Sequence, residues 1–366
     1  MEQYLSIGQA AEILGVSRET LRRWDKAGKF PTTRHPINNY RVYTEPQVRQ
    51  FLRELTPADQ TADAPPRKLT PFFQTDAGTL YREDALLFLQ SLPTASVDLV
   101  FADPPYNIKK AEWDSFASQK AYVEWSMEWI RAARRVLKDT GSLFICGFSE
   151  ILADLKWAAA PHFAGCKWLV WFYRNKGNLG KDWGRSHESI LHLRVSRRFT
   201  FNIDAVRIPY NAHTLKYPQR KQADSSHFAR GQAKKTYVWQ PHPLGAKPKD
   251  VLEIPTLSNS SWEKTAHKTQ KPVELLRRIV LATTPPGDTV VDPFGGSGTT
   301  YAVAEATDRR WMGSELEPEY CRIIQARLMD AAHLQRIRTA ADEVAAQERR
   351  AKLRDGEVSD PGMEEG

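Results

Sequence analysis

Apolar positions near the start of the chain recur with a helical period. Ile7, Ala10, Ala11 and Leu14 fall on one face, Gly15 breaks the run, and Ser17 is placed to cap a second helix ending near Gly28. Leu21 and Trp24 are left to pack, while Arg18, Glu19, Arg22, Arg23 and Lys26 are left to the surface. The next stretch, "INNYRVYTEPQVRQFLREL", predicts a hairpin or wing around Asn38-Asn39 that carries Arg41, then a helix from near Glu45.

A different pattern begins beyond residue 72. Short apolar runs, "SVDLVFAD", "SLFICGF", "KWLVWFY", "SILHLRV", "DTVVDPF" and "RRWMGSEL", alternate with helical stretches. Alternation of this kind predicts an α/β domain with a doubly wound, mostly parallel sheet. Between the two patterns, residues 56–71 ("TPADQTADAPPRKLTP") offer almost nothing to bury and are expected to be a linker. The expected organisation is a small domain over 1–55, the linker, a large domain over 72–334, and a charged, solvent-exposed helix with a disordered tail over 335–366.

Composition narrows the class without deciding it. A chain of 366 residues with 41% hydrophobic content supports a large core. No run approaches the length of a membrane span and the first residues do not form a secretory signal, so the expectation is a cytoplasmic protein away from membranes. The three cysteines, Cys146, Cys166 and Cys321, are far apart and suggest neither a disulfide framework nor a metal. A formal charge of +8 makes a polyanion a plausible partner.

Two stretches carry candidate chemistry. "FADPPYNIKK" (101–110) puts an acid, two prolines and an aromatic at the end of a buried strand, where parallel sheets hold their ligand sites. "DTVVDPFGGSGTTYAVAEA" (288–306) follows a strand with a glycine turn opening a helix, and "WMGSELEPEY" then puts Glu315 at the next strand end. Glycines allow close backbone approach to a ligand, and a carboxylate at that place binds the two hydroxyls of a ribose. By themselves these features fit NAD, FAD or S-adenosylmethionine.

"DPPY" preceding "DPFGGSGTT" in the chain resembles the β class of amino-methyltransferases that modify exocyclic amines of DNA bases. "HKTQKPVELLRRIV" (267–280) resembles the segment before that family's glycine loop. The resemblance implies S-adenosylmethionine as cofactor, a flipped base in double-stranded DNA as substrate, and no metal. Asp103 and the Pro104 carbonyl would accept the two hydrogens of the amine, Pro105 would help fix that backbone, and Tyr106 would stack on the base. For the cofactor it implies Asp84 (at the adenine amine) with Ala85, Asp103, Thr269, Lys271 (at the methionine carboxylate), Asp292, Phe294, Gly295, Gly296, Ser297, Gly298, Thr299 and Glu315. His267-Lys268 stands where many members read His-Pro.

Residues 1–55 resemble the winged helix-turn-helix of the MerR and excisionase-like families. That likeness implies DNA contacts by Arg18, Arg22, Arg23, Lys26 and Arg41, with the second helix suited to a major groove. No heptad coil follows it. Residues 205–250 are the expected target-recognition region: Arg220, Lys221, Arg230, Lys234 and Lys235 are interleaved with aromatics, against the single acid Asp224 between Ala205 and Lys249. Trp171, Tyr173 and His187 are expected near the target base. Asp at the first motif position favours adenine N6; cytosine N4, and a regulator that uses S-adenosylmethionine only as a ligand, stay open. A cognate restriction endonuclease and a homodimer are the remaining partners to test.

Overall fold

The computed structural model describes residues 4–35, 39–55, 68–107, 114, 116–174, 181, 183–217, 220–221 and 238–339, the side chains of 53–55, 220–221 and 238–239 excepted. The N-terminal unit contains β1 (Tyr4–Ser6), α1 (Ile7–Leu14), α2 (Arg18–Lys26), β2 (Thr33–Arg34), β3 (Arg41–Thr44) and α3 (Glu45–Leu55). Its three strands form an antiparallel sheet in the order β1-β3-β2. Ser6 and Gln9 make a reciprocal capping box at α1, and Gly15 (φ +67°) ends that helix in the left-handed region. Ser17 caps α2 through the Thr20 amide, as its position predicts.

The large unit runs β4 (Pro71–Gln74), β5 (Gly78–Tyr81), α4 (Ala85–Ser91), β6 (Val97–Ala102), α5 (Gln119–Val136), β7 (Leu137–Gly147), α6 (Ser149–Ala159), β8 (Gly165–Phe172) and β9 (His187–Arg194). It continues α7 (Ala212–Lys216), β10 (Arg220–Lys221), β11 (Val238–Trp239), β12 (Val251–Glu253), α8 (Val273–Thr283), β13 (Thr289–Asp292), α9 (Thr299–Ala306), β14 (Arg310–Ser314) and α10 (Pro318–Met329). Nine strands form one sheet, ordered β12-β8-β9-β7-β6-β13-β14-β5-β4. All six apolar runs that predict strands lie in it, and β4, β5 and β12 are additional. Pairing is parallel from β7 through β6, β13 and β14 to β5, with antiparallel β9 beside β7.

Every residue of β6 is buried, and from Leu99 onward its side chains divide by parity. Leu99 and Phe101 join the core that includes α8 and α9, while Val100 and Ala102 join the core on the α4–α5 side. From β6 the chain crosses to β7 on one side; from β13, the neighbour of β6, it crosses to β14 on the other. Such a switch point opens a crevice at the strands' carboxyl ends. Both candidate motifs face that crevice.

Beyond α10 the residues 331–339 are helical. This helix is expected to be solvent-exposed, and residues 335, 336, 338 and 339 are, while its inner face is not. Ile337 is fully buried and Arg338 donates to the Ala306 carbonyl, because Leu334 and Ile337 form an apolar stripe against the α9–α10 core. Residues 340–366 and most of the proposed linker lie outside the described residues.

Candidate active site

β6 ends at Ala102, and the rigid Pro104-Pro105 turn carries Asp103 and Tyr106 into a cavity of about 320 Å³. Lys271, on the loop before α8, reaches across and donates to both Asp103 oxygens at 2.8 and 2.7 Å. Tyr106 donates its hydroxyl to Asp103 Oδ1 at 2.6 Å and lies 3.2 Å from Glu188 Oε2. Glu188 also stands 3.5 Å from Lys271. Burial alone would lower the Lys271 ammonium, but Asp103 and Glu188 outweigh it and hold its pKa above the usual lysine value. Burial, reinforced by the same two carboxylates, raises the Tyr106 phenol well above its usual value, so it stays a donor. Asp103 is therefore fixed in orientation by two donors, one buried and one half-buried.

The opposite wall is built by the turn after β13. Asp292 accepts from the Phe294 amide at 2.9 Å and from the Thr300 hydroxyl at 2.6 Å, tying both ends of the loop to one carboxylate. Gly296 adopts φ +51° and Gly298 φ +73°, where a side chain would be strained; a Cβ on Gly298 would also press on Ile324. Glu315, at the end of β14, accepts from the Gly296 amide at 2.8 Å and the Glu317 amide at 2.9 Å. Burial raises its pKa to about 7, and among the described residues no cation pairs with it. A carboxylate has about four acceptor sites, so two backbone donors leave capacity for a vicinal diol. The donor set fits the ribose of S-adenosylmethionine.

The sequence-predicted residues separate into two groups. Asp84, Ala85, Asp103, Pro104, Pro105, Tyr106, Thr269, Lys271, Phe294, Gly296, Glu315 and Trp171 line the main cavity. Asp84 caps α4 through Oδ1, accepting from the Leu86 and Leu87 amides, so one carboxylate serves the helix and faces the site. Asp292, Gly295, Ser297 and Thr299 instead sit behind the loop around a space of about 20 Å³, and Gly298 precedes α9 and lines neither space. Thr299 and the Ser297 carbonyl accept from buried Arg327, which places them in the loop's foundation. Lys271, expected at a cofactor carboxylate, lines the cavity with its ammonium paired to Asp103 and Glu188.

Glu188, His267 and Tyr320 line the cavity without having been singled out for it. Trp171 and Glu188 are cross-strand partners of β8 and β9, which puts them on one face; His187 pairs with Phe172 on the other and does not line the cavity. His267 is held down to about 4 by burial, hence neutral, and its Nδ1 accepts from the Thr269 amide.

The expected DNA contacts fare unevenly. Arg18 and Lys26 are exposed on α2, and Arg22 is partly exposed in a 3.0 Å pair with Glu19. Arg41 is exposed beside Asp25. Arg23 is a correction: its guanidinium lies 4.5 Å from the Trp125 ring centre and 5.1 Å from that of Phe116, lining the cavity instead of a DNA-facing surface. Ser17 N and Thr20 Oγ1 both donate to Glu128 of α5, so the amino end of α2 is already capped by the large unit. Arg220 and Lys221 belong to the antiparallel β10–β11 pair, whereas Arg230, Lys234 and Lys235 lie outside the described residues. Among the described residues no cluster suits a metal ion, and no helix is long and apolar enough to cross a membrane.

A doubly wound sheet with a ribose-binding carboxylate after β14 and a proline-fixed acid after β6, on either side of β13, defines a nucleotide-cofactor enzyme of α/β class. Comparison with known proteins makes this specific. Residues 97–326 match the DNA methylase family, and residues 6–43 match the MerR family of regulatory proteins. The chain is 34% identical to the DNA adenine methyltransferase YhdJ of Escherichia coli over 76% of its length and 90% of that protein. It is 31% identical to the type II methyltransferase M.BglII of Bacillus subtilis, over 76% of each. The fold resembles that of the PvuII DNA methyltransferase (cytosine-N4-specific), with a TM-score of 0.55 and 20% identity over 77% of this chain and 95% of that one. The chain belongs to the DNA methylase family and is an S-adenosylmethionine-dependent DNA methyltransferase.

Proposed function

We propose that the protein methylates the exocyclic N6 of adenine, flipped out of a specific site in double-stranded DNA. The observation that carries this is the clamped Asp103 at the end of β6, opening onto the same cavity as Glu315. The exocyclic amine is a poor nucleophile because its lone pair is delocalised into the ring. Asp103 and the Pro104 carbonyl, accepting its two hydrogens, draw the nitrogen toward a geometry in which the lone pair is available. Bound S-adenosylmethionine supplies the methyl group from its sulfonium. Lys271 and Tyr106 hold Asp103 in place, so catalysis here is chiefly positioning and electrostatics. Asp103 is also the group in reach of the proton that the amine loses. The Tyr106 ring, pinned through its hydroxyl and edged against Phe148, offers a face for the base.

Asp at the first position of the motif supports adenine over cytosine, as does the name of the Escherichia coli relative. The same reading places the work in the cytoplasm, and the type II name of the Bacillus relative makes a cognate restriction endonuclease the partner to look for. A homodimer is the other partner reading, and analytical ultracentrifugation of the purified chain tests it. The reaction is tested by incubating the protein with unmethylated genomic DNA and S-adenosylmethionine, then identifying nucleosides by mass spectrometry. N6-methyladenine is the expected product. N4-methylcytosine would overturn the base assignment, and no methylated base would favour a regulator that only binds the cofactor.

A further inference from the structure

Arg23 belongs to the N-terminal unit, yet it lines the cavity of the large one. Its guanidinium rests on Trp125, whose ring meets Phe294 of the cofactor loop at 6.0 Å. Burial lowers its pKa, and the nearby Asp84 carboxylate offsets part of that effect. A planar cation stacked on an indole and set beside a carboxylate suits a ligand that has both an aromatic ring and a carboxylate. The arrangement around it is built rather than incidental. Glu128 of α5 takes Ser17 N at 2.6 Å and Thr20 Oγ1 at 2.5 Å, at the amino end of α2, where the helix dipole favours a negative charge. Lys29 forms an ion pair with Glu83, a cavity residue whose carboxylate also accepts from the Asp84 amide at 2.8 Å. Leu21 and Trp24 share one continuous apolar core with residues of α4 and α5.

We infer that the N-terminal unit is a wall of the cofactor site, with Arg23 as its ligand-facing residue, so that cofactor binding and docking of this unit strengthen each other. The inference rests on S-adenosylmethionine being the cofactor. Linkage is reciprocal: a ligand that touches Arg23 must tighten the docked state by the factor with which docking tightens the ligand. While docked, α2 leaves Arg18, Arg22 and Lys26 outward, but its amino end is not available to base edges.

The test uses the full chain and S-adenosylhomocysteine, followed by calorimetry. Arg23→Ala is expected to weaken binding at least about tenfold, and Arg23→Lys to recover only part of it, because an ammonium lacks the planar fork. Thr20→Val, remote from the ligand but in the docking contact, is expected to weaken binding in the same direction. Glu12→Ala, on the exposed side of α1, is expected to leave it unchanged. Hydrogen exchange gives a second readout: amides of α2 should slow when ligand is added to the wild type, and this slowing should be lost in Arg23→Ala. Wild-type affinity in Arg23→Ala, or α2 exchange indifferent to ligand in the wild type, would overturn the inference. No binding by the wild type would overturn the cofactor assignment and the inference with it.

Discussion

Two carboxylates share the cavity and live in opposite surroundings. Asp103 is clamped by the Lys271 ammonium and the Tyr106 hydroxyl, whereas Glu315 is met by backbone amides and by burial, which raises its pKa to about 7. The first is held immobile by an ammonium and a hydroxyl donor, as an acceptor in a polarised reaction needs. The second keeps acceptor capacity for neutral donors, as a ribose contact needs. Chemistry and cofactor binding are thus separated by the charge partner each acid has, not by the kind of residue.

The largest break in this comparison is expected at Asp103. Asp103→Ala should lower the methyl-transfer rate by on the order of 10³-fold or more, with cofactor affinity within about twofold. It also leaves Lys271 with Glu188 alone at 3.5 Å, so a loss of about 3 kcal/mol in stability is expected in chemical denaturation. Glu315→Ala should do the reverse: cofactor affinity falls about 100-fold with the loss of acceptors worth about 2–3 kcal/mol, while transfer at saturating cofactor stays within about tenfold. Equal loss of affinity in both variants would erase the division.

Acidity gives a subtler probe. Because the Glu315 pKa is raised to about 7, lowering the pH through 7 protonates it and removes acceptor capacity. Cofactor affinity should be constant above about pH 8 and fall about tenfold per unit below pH 6, measured by calorimetry; the slope should vanish in Glu315→Gln. The smallest effect is expected on the outer face of α2. Lys26→Ala should weaken DNA binding by less than about 1 kcal/mol and reduce the salt-dependence slope by about 0.9, the share of one phosphate contact. An unchanged slope would remove that face from the DNA interface.

Strand ends were legible in the sequence because buried parallel strands are uninterrupted apolar runs, and β6 and β13 are bounded by Pro and Gly. Asp103, Tyr106 and Glu315 follow from those ends. The short strands β4, β5 and β12 were not legible, since three or four residues of mixed polarity carry no period. Glu188 escaped because strand parity decides whether it or His187 faces the cavity, and only the register with β8 settles it. Lys271 was legible as a site residue but not in its pairing, which joins positions 168 residues apart. Arg23 escaped for a related reason: on α2 it reads as one more cation in a basic stripe, and only docking on α5 turns it inward.

The most direct test pairs two numbers on one variant: the cofactor affinity of Asp103→Asn by calorimetry and its single-turnover methylation of adenine in duplex DNA. The account predicts affinity within about twofold of wild type and a rate lower by on the order of 10³-fold. A rate near that of the wild type, or a cofactor affinity lost together with the rate, would contradict it.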